Sequence, residues 1–271
     1  MRNVLLLVLS GLLFYSCNTK PPTSPGDISY PAGKIFANAN INLNQSTIPA
    51  DKVVLLEDFA NVSCVPCVTS NLIIESLLNG SYAKKIAVVK FPVYWPSPSD
   101  PFYLANKSVC DDRIAYYDVI HKGAPTIMVD GLFNPTPTDS NAIIAKIEER
   151  LNETARFSIT VGKTFQDSSF VVSLDVQAIG LGGINLSNLV LYTVVVENDI
   201  EYEAPNGERV FYNVLRRVLP GDDGLSFASL SNSTFNWETD LLSDWNPENL
   251  HVVAFIQNVQ TKEVLQAGAD Y

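Results

Sequence analysis

The sequence predicts an α/β domain over residues 51–152 followed by an antiparallel β-sandwich domain over residues 153–271. Three observations carry this prediction. Residues 51–152 alternate continuous apolar runs, of the kind buried on both faces of a sheet, with segments whose apolar residues recur at helical spacing. After Asn152 the helical spacing stops, and short strand-like runs separated by turn residues take over. Between the first strand pattern and the first helix pattern stands a Cys-x-x-Cys turn, Cys64-Val65-Pro66-Cys67.

Val53-Val54-Leu55-Leu56, continuing to Phe59, reads as a buried strand. Beyond the cysteine turn, Ile73, Ile74, Leu77 and Leu78 share one helical face, and Asn79-Gly80 ends that helix. Ile86-Ala87-Val88-Val89 is a second continuous apolar run, as expected of a central parallel strand. Asp100-Pro101 reads as an N-cap followed by proline at the first helical position, opening a helix to about Tyr117. Residues 126–129 are a short strand and Asp130-Gly131 a hairpin turn. Ile143, Ile144, Ile147 and Leu151 space out a last helix. In the second half, strands are expected at 157–161, 170–176, 189–196, 210–215, 226–237 and 251–256, and from 264 onward, with loops at 180–183 and 221–224.

The 271 residues suffice for two domains, and 46% apolar content supplies their cores. A net charge of -11 without any basic block argues against a nucleic-acid partner, because phosphate binding needs clustered Lys and Arg. Residues 1–16 read as a targeting signal: Arg2, then an apolar run from Val4 to Tyr15 too short to span a membrane comfortably. Ser16-Cys17 resembles a lipobox, which would place a lipid on Cys17, although Phe14 and Tyr15 are bulkier than usual there. The competing reading is an ordinary secretory peptide with an incidental cysteine. Residues 17–50, with Pro21, Pro22, Pro25 and Pro31, read as a tether reaching on the order of 100 Å when extended. No later segment is apolar and long enough for a membrane-spanning helix. Export implies an oxidising compartment, and with Cys17 lipidated three cysteines remain, an odd number that cannot all pair within the chain.

A thiol at a helix N-terminus faces unpaired amide donors and the positive end of the helix dipole, and both favour the thiolate. Cys64 is therefore the expected attacking thiolate and Cys67 the resolving thiol. Pro66 is tolerated in the first helical turn. Asp58, on the entering strand, is a candidate proton acceptor for Cys67, with a surface aspartate as the alternative. Pro125, in Gly123-Ala124-Pro125-Thr126, would if cis bring its preceding backbone beside the cysteines; an ordinary trans proline is the alternative. A structural disulfide remains the serious competing account of the pair, weakened because so short a loop gains little chain-entropy stabilisation. Zinc would need further ligands, and Cys110 with His121 or His251 makes an irregular set, so no metal or cofactor is expected. Cys110 reads as a buried small hydrophobe, Tyr116-Tyr117 as packing, and Arg216-Arg217 as a solvated strand edge, with anion binding as its alternative.

Asp58-Phe59, Cys64-Val65-Pro66-Cys67 and Ala124-Pro125-Thr126 stand in the order and spacing of the thioredoxin superfamily, and the Cys-Val-Pro-Cys centre looks like that of membrane-tethered periplasmic thioredoxins of the TlpA type. Leu55-Leu56-Glu57-Asp58-Phe59, Arg113, Tyr116-Tyr117, Gly123, Pro125, Val129-Asp130-Gly131 and Asn213-Val214-Leu215-Arg216 before Gly221 extend a resemblance over almost the whole mature chain. It is to the outer membrane protein 28-related family of lipoproteins. The resemblance implies an α/β thioredoxin-like domain followed by a β-sandwich domain on a lipid anchor at the outer membrane, periplasmic or surface-exposed. Ser63 departs from the tryptophan usual before the first cysteine of thioredoxins, which bears on substrate range.

Two functions follow. One is an anchored thiol-disulfide oxidoreductase acting on thiols or disulfides of exported proteins. The other is a non-catalytic binding or scaffold lipoprotein with a fixed disulfide. Exposure of Cys64 beside a cis Pro125 is the feature that separates them.

Overall fold

The computed structural model describes residues 34–35, 46, 48–166, 168–227 and 233–271; the signal segment, Cys17 and most of the tether lie outside them. The centre is built from the two apolar runs. β2 (Val54–Ala60) and β3 (Ile86–Pro92) pair in parallel, with Val54 opposite Ile86 and Asp58 opposite Lys90, and every residue of both strands is buried. Parallel pairing requires a crossover, which α1 (Val65–Leu78) provides. Its buried residues, Cys67, Ser70, Asn71, Ile74 and Leu77, recur at three- and four-residue steps. β4 (Thr126–Val129) adds antiparallel to the outer side of β2, and α4 (Ser140–Leu151) covers that end, its N-terminus capped by Asp139.

The helix expected from Asp100 to Tyr117 is two helices. Asp100 caps the first, α2 (Pro101–Ala105), by accepting from the Phe102 and Tyr103 amides. Asn106, at φ -135° and ψ 36°, breaks the chain out of helical geometry before α3 (Lys107–Tyr117) begins.

The change of pattern after Asn152 is real: among the described residues from 157 on, strands and loops alternate and the helical elements are short 3-10 turns. β5 (Phe157–Gln166) and β6 (Ser169–Ala178) form an antiparallel hairpin, extended by β12 (Thr234–Asp240) and β1 (Lys34–Ile35) into a four-stranded sheet. β7 (Leu189–Glu197), β10 (Val214–Leu219), β13 (Leu250–Asn258) and β14 (Val264–Ala269) do something the sequence reading did not anticipate. They continue the first sheet, in the order β14-β13-β7-β10-β3-β2-β4, with β11 (Leu225–Ser226) pairing to β7. The joint is a parallel contact of β10 with β3 at Val214 and Lys90. The boundary expected at 152/153 therefore marks a change of composition and not a break in the sheet. The described residues from 34 onward belong to one compact unit.

Period-two alternation explains the layers. One face of the long sheet carries Leu55, Phe59, Val89, Phe91, Leu215, Val196, Val253 and Phe255, packed against Cys110, Ile114 and Tyr117 of α3. On the other face, Val54, Leu56, Ile86 and Val88 meet Ile74 and Leu77 of α1 and Ile143 and Ile147 of α4. Further along that face, Leu191, Val195, Val252 and Ala254 meet Phe170, Val172, Leu174 and Trp237 of the small sheet, which is the sandwich part of the expectation. Each fully buried Leu, Ile or Phe contributes about 2 kcal/mol. The face shared by α3, β2, β3, β7 and β13 draws those contributions from both halves of the chain.

Candidate functional site

β2 delivers the chain to Asn61, which builds the cysteine turn. The Cys64 amide donates to the Asn61 carbonyl at 2.9 Å, and the Ser63 amide to Asn61 Oδ1 at 2.9 Å. Asn61 Nδ2 donates onward to the carbonyls of Val93 (2.6 Å) and Ser97 (2.9 Å). Buried Asp100 ties the same turn to α2 by accepting from the Val62 amide at 2.9 Å. Burial pushes the Asp100 carboxyl up, against its three amide donors.

Cys64 is the N-cap of α1, and Pro66 lies in the first turn. Cys64 and Cys67 are joined by a disulfide, with S–S 2.08 Å and Cα–Cα 5.3 Å. Both cysteines are buried, at 3% and 0% exposure, while Val65 between them is 70% exposed. Ala60 and Ala124 pack against the pair, and the Ala124–Pro125 peptide is cis. Thr126 Oγ1 donates to the Gly123 carbonyl at 2.8 Å, fixing that loop. Of the two features expected to separate the functions, the Ala124–Pro125 peptide is cis and Cys64 is buried.

Asp58 is fully buried, so its surface alternative is excluded. It shares a sheet face with Ala60, two residues on, and Ala60 touches the cysteines. Lys90, its cross-strand neighbour, places Nζ 3.1 Å from Asp58 Oδ2. Lys90 also donates to Asn71 Oδ1 at 2.5 Å, so a single ammonium serves both Asn71 and Asp58, and Asp58 Oδ1 has no hydrogen-bond donor. Burial raises the Asp58 carboxyl above the ordinary range, with Lys90 opposing.

Sequence reasoning missed Lys90, Asn71, Asn206 and Glu208. Asn71 Nδ2 donates to Glu208 Oε1 at 2.6 Å, Asn206 Nδ2 to Glu208 Oε2 at 2.6 Å and to the Cys64 carbonyl at 3.2 Å. A polar chain thus runs from Asp58 through Lys90, Asn71, Glu208 and Asn206 back to the cysteine turn. Its detectable signal was a lysine ending an apolar run: in a strand covered on both faces, that charge must have a partner.

Other side chains fall elsewhere. Cys110 is buried and unpaired, and desolvation pushes its thiol well up. His121 lies exposed beside Asp118, and His251 Nδ1 lies 3.4 Å from Asp270. Among the described residues no group of three His, Cys, Asp or Glu side chains is placed to hold a metal. Arg216 is not on a solvated edge: it is buried and paired with Glu197 Oε2 at 2.7 Å. Tyr117 donates to Glu57 Oε2 at 2.6 Å, and Arg113 Nε to Glu57 Oε1 at 2.7 Å, a buried cluster on the face away from the disulfide. A cleft of about 260 Å³ opens on that face, lined by Phe91, Arg113, Tyr116, Tyr192 and Phe255 with Asp112, Asp222 and Asp223.

No curated protein sequence matches the chain. Among solved structures it is similar to HBP35 of Porphyromonas gingivalis, at 17% identity and a TM-score of 0.63, over 84% of this chain and 76% of that one. A second is a protein of Agrobacterium tumefaciens, at 12% identity and a TM-score of 0.54, over 81% and 95%. These two likenesses show a shared fold. A domain of the outer membrane lipoprotein Omp28 from Porphyromonas gingivalis matches at 24% identity and a TM-score of 0.31, over 42% and 86%. The family model described as outer membrane protein Omp28 matches residues 111–269, more than half of the 271 residues. The chain belongs to the outer membrane protein Omp28 family.

Proposed function

We propose that this protein is a membrane-anchored thiol-disulfide oxidoreductase acting on exported proteins through Cys64 and Cys67, with β2, α1, β3, β4 and α4 as a thioredoxin-like unit. The observation that carries the reading is the setting of the disulfide. It sits at the N-terminus of a helix leaving a central strand, packed on Ala124, with a buried Asp58–Lys90 pair on the strand face that α1 covers. In the reduced protein, the Cys64 thiolate attacks a substrate disulfide, forming a mixed disulfide and releasing one substrate thiolate, which takes a proton from water. Cys67 gives its proton to the Asp58 carboxylate and attacks Cys64 Sγ, which re-forms Cys64–Cys67 and releases the second substrate thiolate. Two electrons pass to the substrate; run backwards, the steps oxidise a dithiol. A lipid on Cys17 and the tether to residue 50 would hold this body at a membrane.

The test is exchange of the reduced protein with a disulfide-bonded test substrate between pH 5 and 9. Asp58 must be ionised to accept the proton, so the rate climbs with pH through its raised value. That limb is lost in Asp58→Asn, and Cys67→Ser accumulates the mixed disulfide. Absence of exchange at every pH rejects the reading.

The burial of both cysteines favours a second reading, a binding or scaffold lipoprotein with a fixed disulfide. There, reduction would lower the unfolding midpoint without enabling exchange.

A further inference from the structure

The cysteines are hidden although the start of α1 is not. Val65 and Pro66 project into solvent while Cys64 and Cys67 are sealed. The pair packs on Ala60 and Ala124, and the backbone of the turn is bonded by a segment from far along the chain: the loop at 202–209 between β8 (Ile200–Glu201) and β9 (Val210–Phe211).

This loop is a built element. The Tyr202 amide donates to the Arg209 carbonyl at 3.0 Å, and the Ala204 amide to the Glu208 carbonyl at 3.0 Å. Its base is anchored in a small apolar cluster, where Ile200, Tyr202, Ala204 and Phe211 pack with Val62, Phe102 and Val214. Its tip grips the cysteine turn on both sides. The Asn206 amide donates to the Val62 carbonyl at 3.1 Å, two residues before Cys64. Asn206 Nδ2 donates to the Cys64 carbonyl, and Glu208 accepts from Asn71 one helical turn beyond Cys67. The space left under the loop, between Glu208, Asn71 and Lys90, is a cavity of only about 10 Å³. Glu203 and Arg209, on the same loop, point away: their side chains are 87% and 79% exposed and stand 3.9 Å apart.

We propose that the 202–209 loop is a removable clasp over the redox turn. Closed, it holds Cys64 in its buried place by Asn206 and Glu208; a partner protein must displace it to reach the sulfur. The purpose of the clasp rests on the oxidoreductase reading, but its existence does not. The three tip contacts are few and each is a single hydrogen bond, whereas the base is packed, so the tip is the part that opens. The second half of the chain would then act on the thiol chemistry through two side chains, without contributing a cysteine.

The experiment measures how fast the oxidised full chain is reduced by two agents of different bulk. One is a small water-soluble phosphine. The other is a reduced dithiol protein, which gives up two electrons and two protons and becomes a disulfide while Cys64 and Cys67 become thiols. Asn206→Ala removes the bond to the Cys64 carbonyl and both side-chain bonds to Glu208, one donated to its carboxylate and one accepted from its amide. It is expected to raise the protein-dithiol rate about tenfold and to change the phosphine rate less than about threefold. Glu208→Gln is the second variant and acts in the same direction. Glu203→Ala, on the outward side, changes neither rate, and circular dichroism confirms that each variant folds. An unchanged protein-dithiol rate in both tip variants overturns the clasp, as does an equal rise for both reductants. If the clasp result holds while the reduced protein exchanges with no test substrate, the oxidoreductase reading alone falls.

Discussion

Replacing Lys90 with methionine tests the buried pair most directly. The Lys90 side chain is 9% exposed, that of Asp58 is 1%, and 3.1 Å separates them. At an effective dielectric constant near 20, opposite charges at that distance attract by about 5 kcal/mol. Methionine keeps the stem packed but leaves a carboxylate with no counter-charge and no hydrogen-bond donor. Breaking such a pair on one side costs about 3–5 kcal/mol while the survivor stays charged. The survivor has an escape, because protonation removes its charge. The sign follows. Asp58 already has a raised folded pKa, and loss of Lys90 raises it further. Its penalty is therefore small at low pH and grows as pH rises through the folded value. Urea unfolding of the full chain should show Lys90→Met destabilised by about 3–5 kcal/mol at pH 8 and by distinctly less at pH 5. Asp58→Asn in the same chain should restore most of the loss at pH 8. Equal destabilisation at both pH values, or no restoration, would refute the claim that a stranded charge is the cause.

Three other outcomes are expected. A fragment of residues 51–152 should aggregate, because it exposes the β3 edge that β10 pairs and strips the α3 face of Val196, Val253 and Phe255; size-exclusion chromatography reads this, and a soluble folded monomer would contradict it. Gly131→Ala should cost more than about 2 kcal/mol, since Gly131 has φ +70° and an added Cβ would lie 2.0 Å from the Lys262 carbonyl oxygen; a melting curve close to the parent's would contradict it. Cys17→Ser should shift the protein from the membrane pellet to the soluble fraction, and continued pelleting would mean that another anchor holds it.

The features legible in the sequence were those with a local cause. Leu55, Leu56 and Ile86 to Val89 announce strands by unbroken apolarity, and the cysteine turn announces a helix start. The split at Asn106 was hidden, because Pro101 to Tyr117 carries no glycine or internal proline to mark it. Lys90, Arg113 and Arg216 look like surface charges in one dimension. Their partners, Asp58, Glu57 and Glu197, come from other elements, and only strand register or the packing of α3 on the sheet brings them together. Unbroken apolarity shows that a strand has two covered faces without naming what covers them. Hence β7, β10 and β13 were read as a separate sandwich, when one of their faces completes the core begun by β2 and β3. The clasp was invisible for the same reason: nothing in Asn206-Gly207-Glu208 points to Cys64.

The parallel contact between β10 and β3 also sets an order of events as the chain acquires its shape. β2, β3 and β4 can meet early, since short segments separate them. The next strand of the sheet arrives only after the β5–β6 hairpin and β7 have emerged. Bringing such distant segments together slows the search for the native arrangement. Until that search ends, the cysteine turn has neither its clasp nor the β10 side of its sheet. The interval before that closure is therefore when Cys64 and Cys67 have the least structure around them.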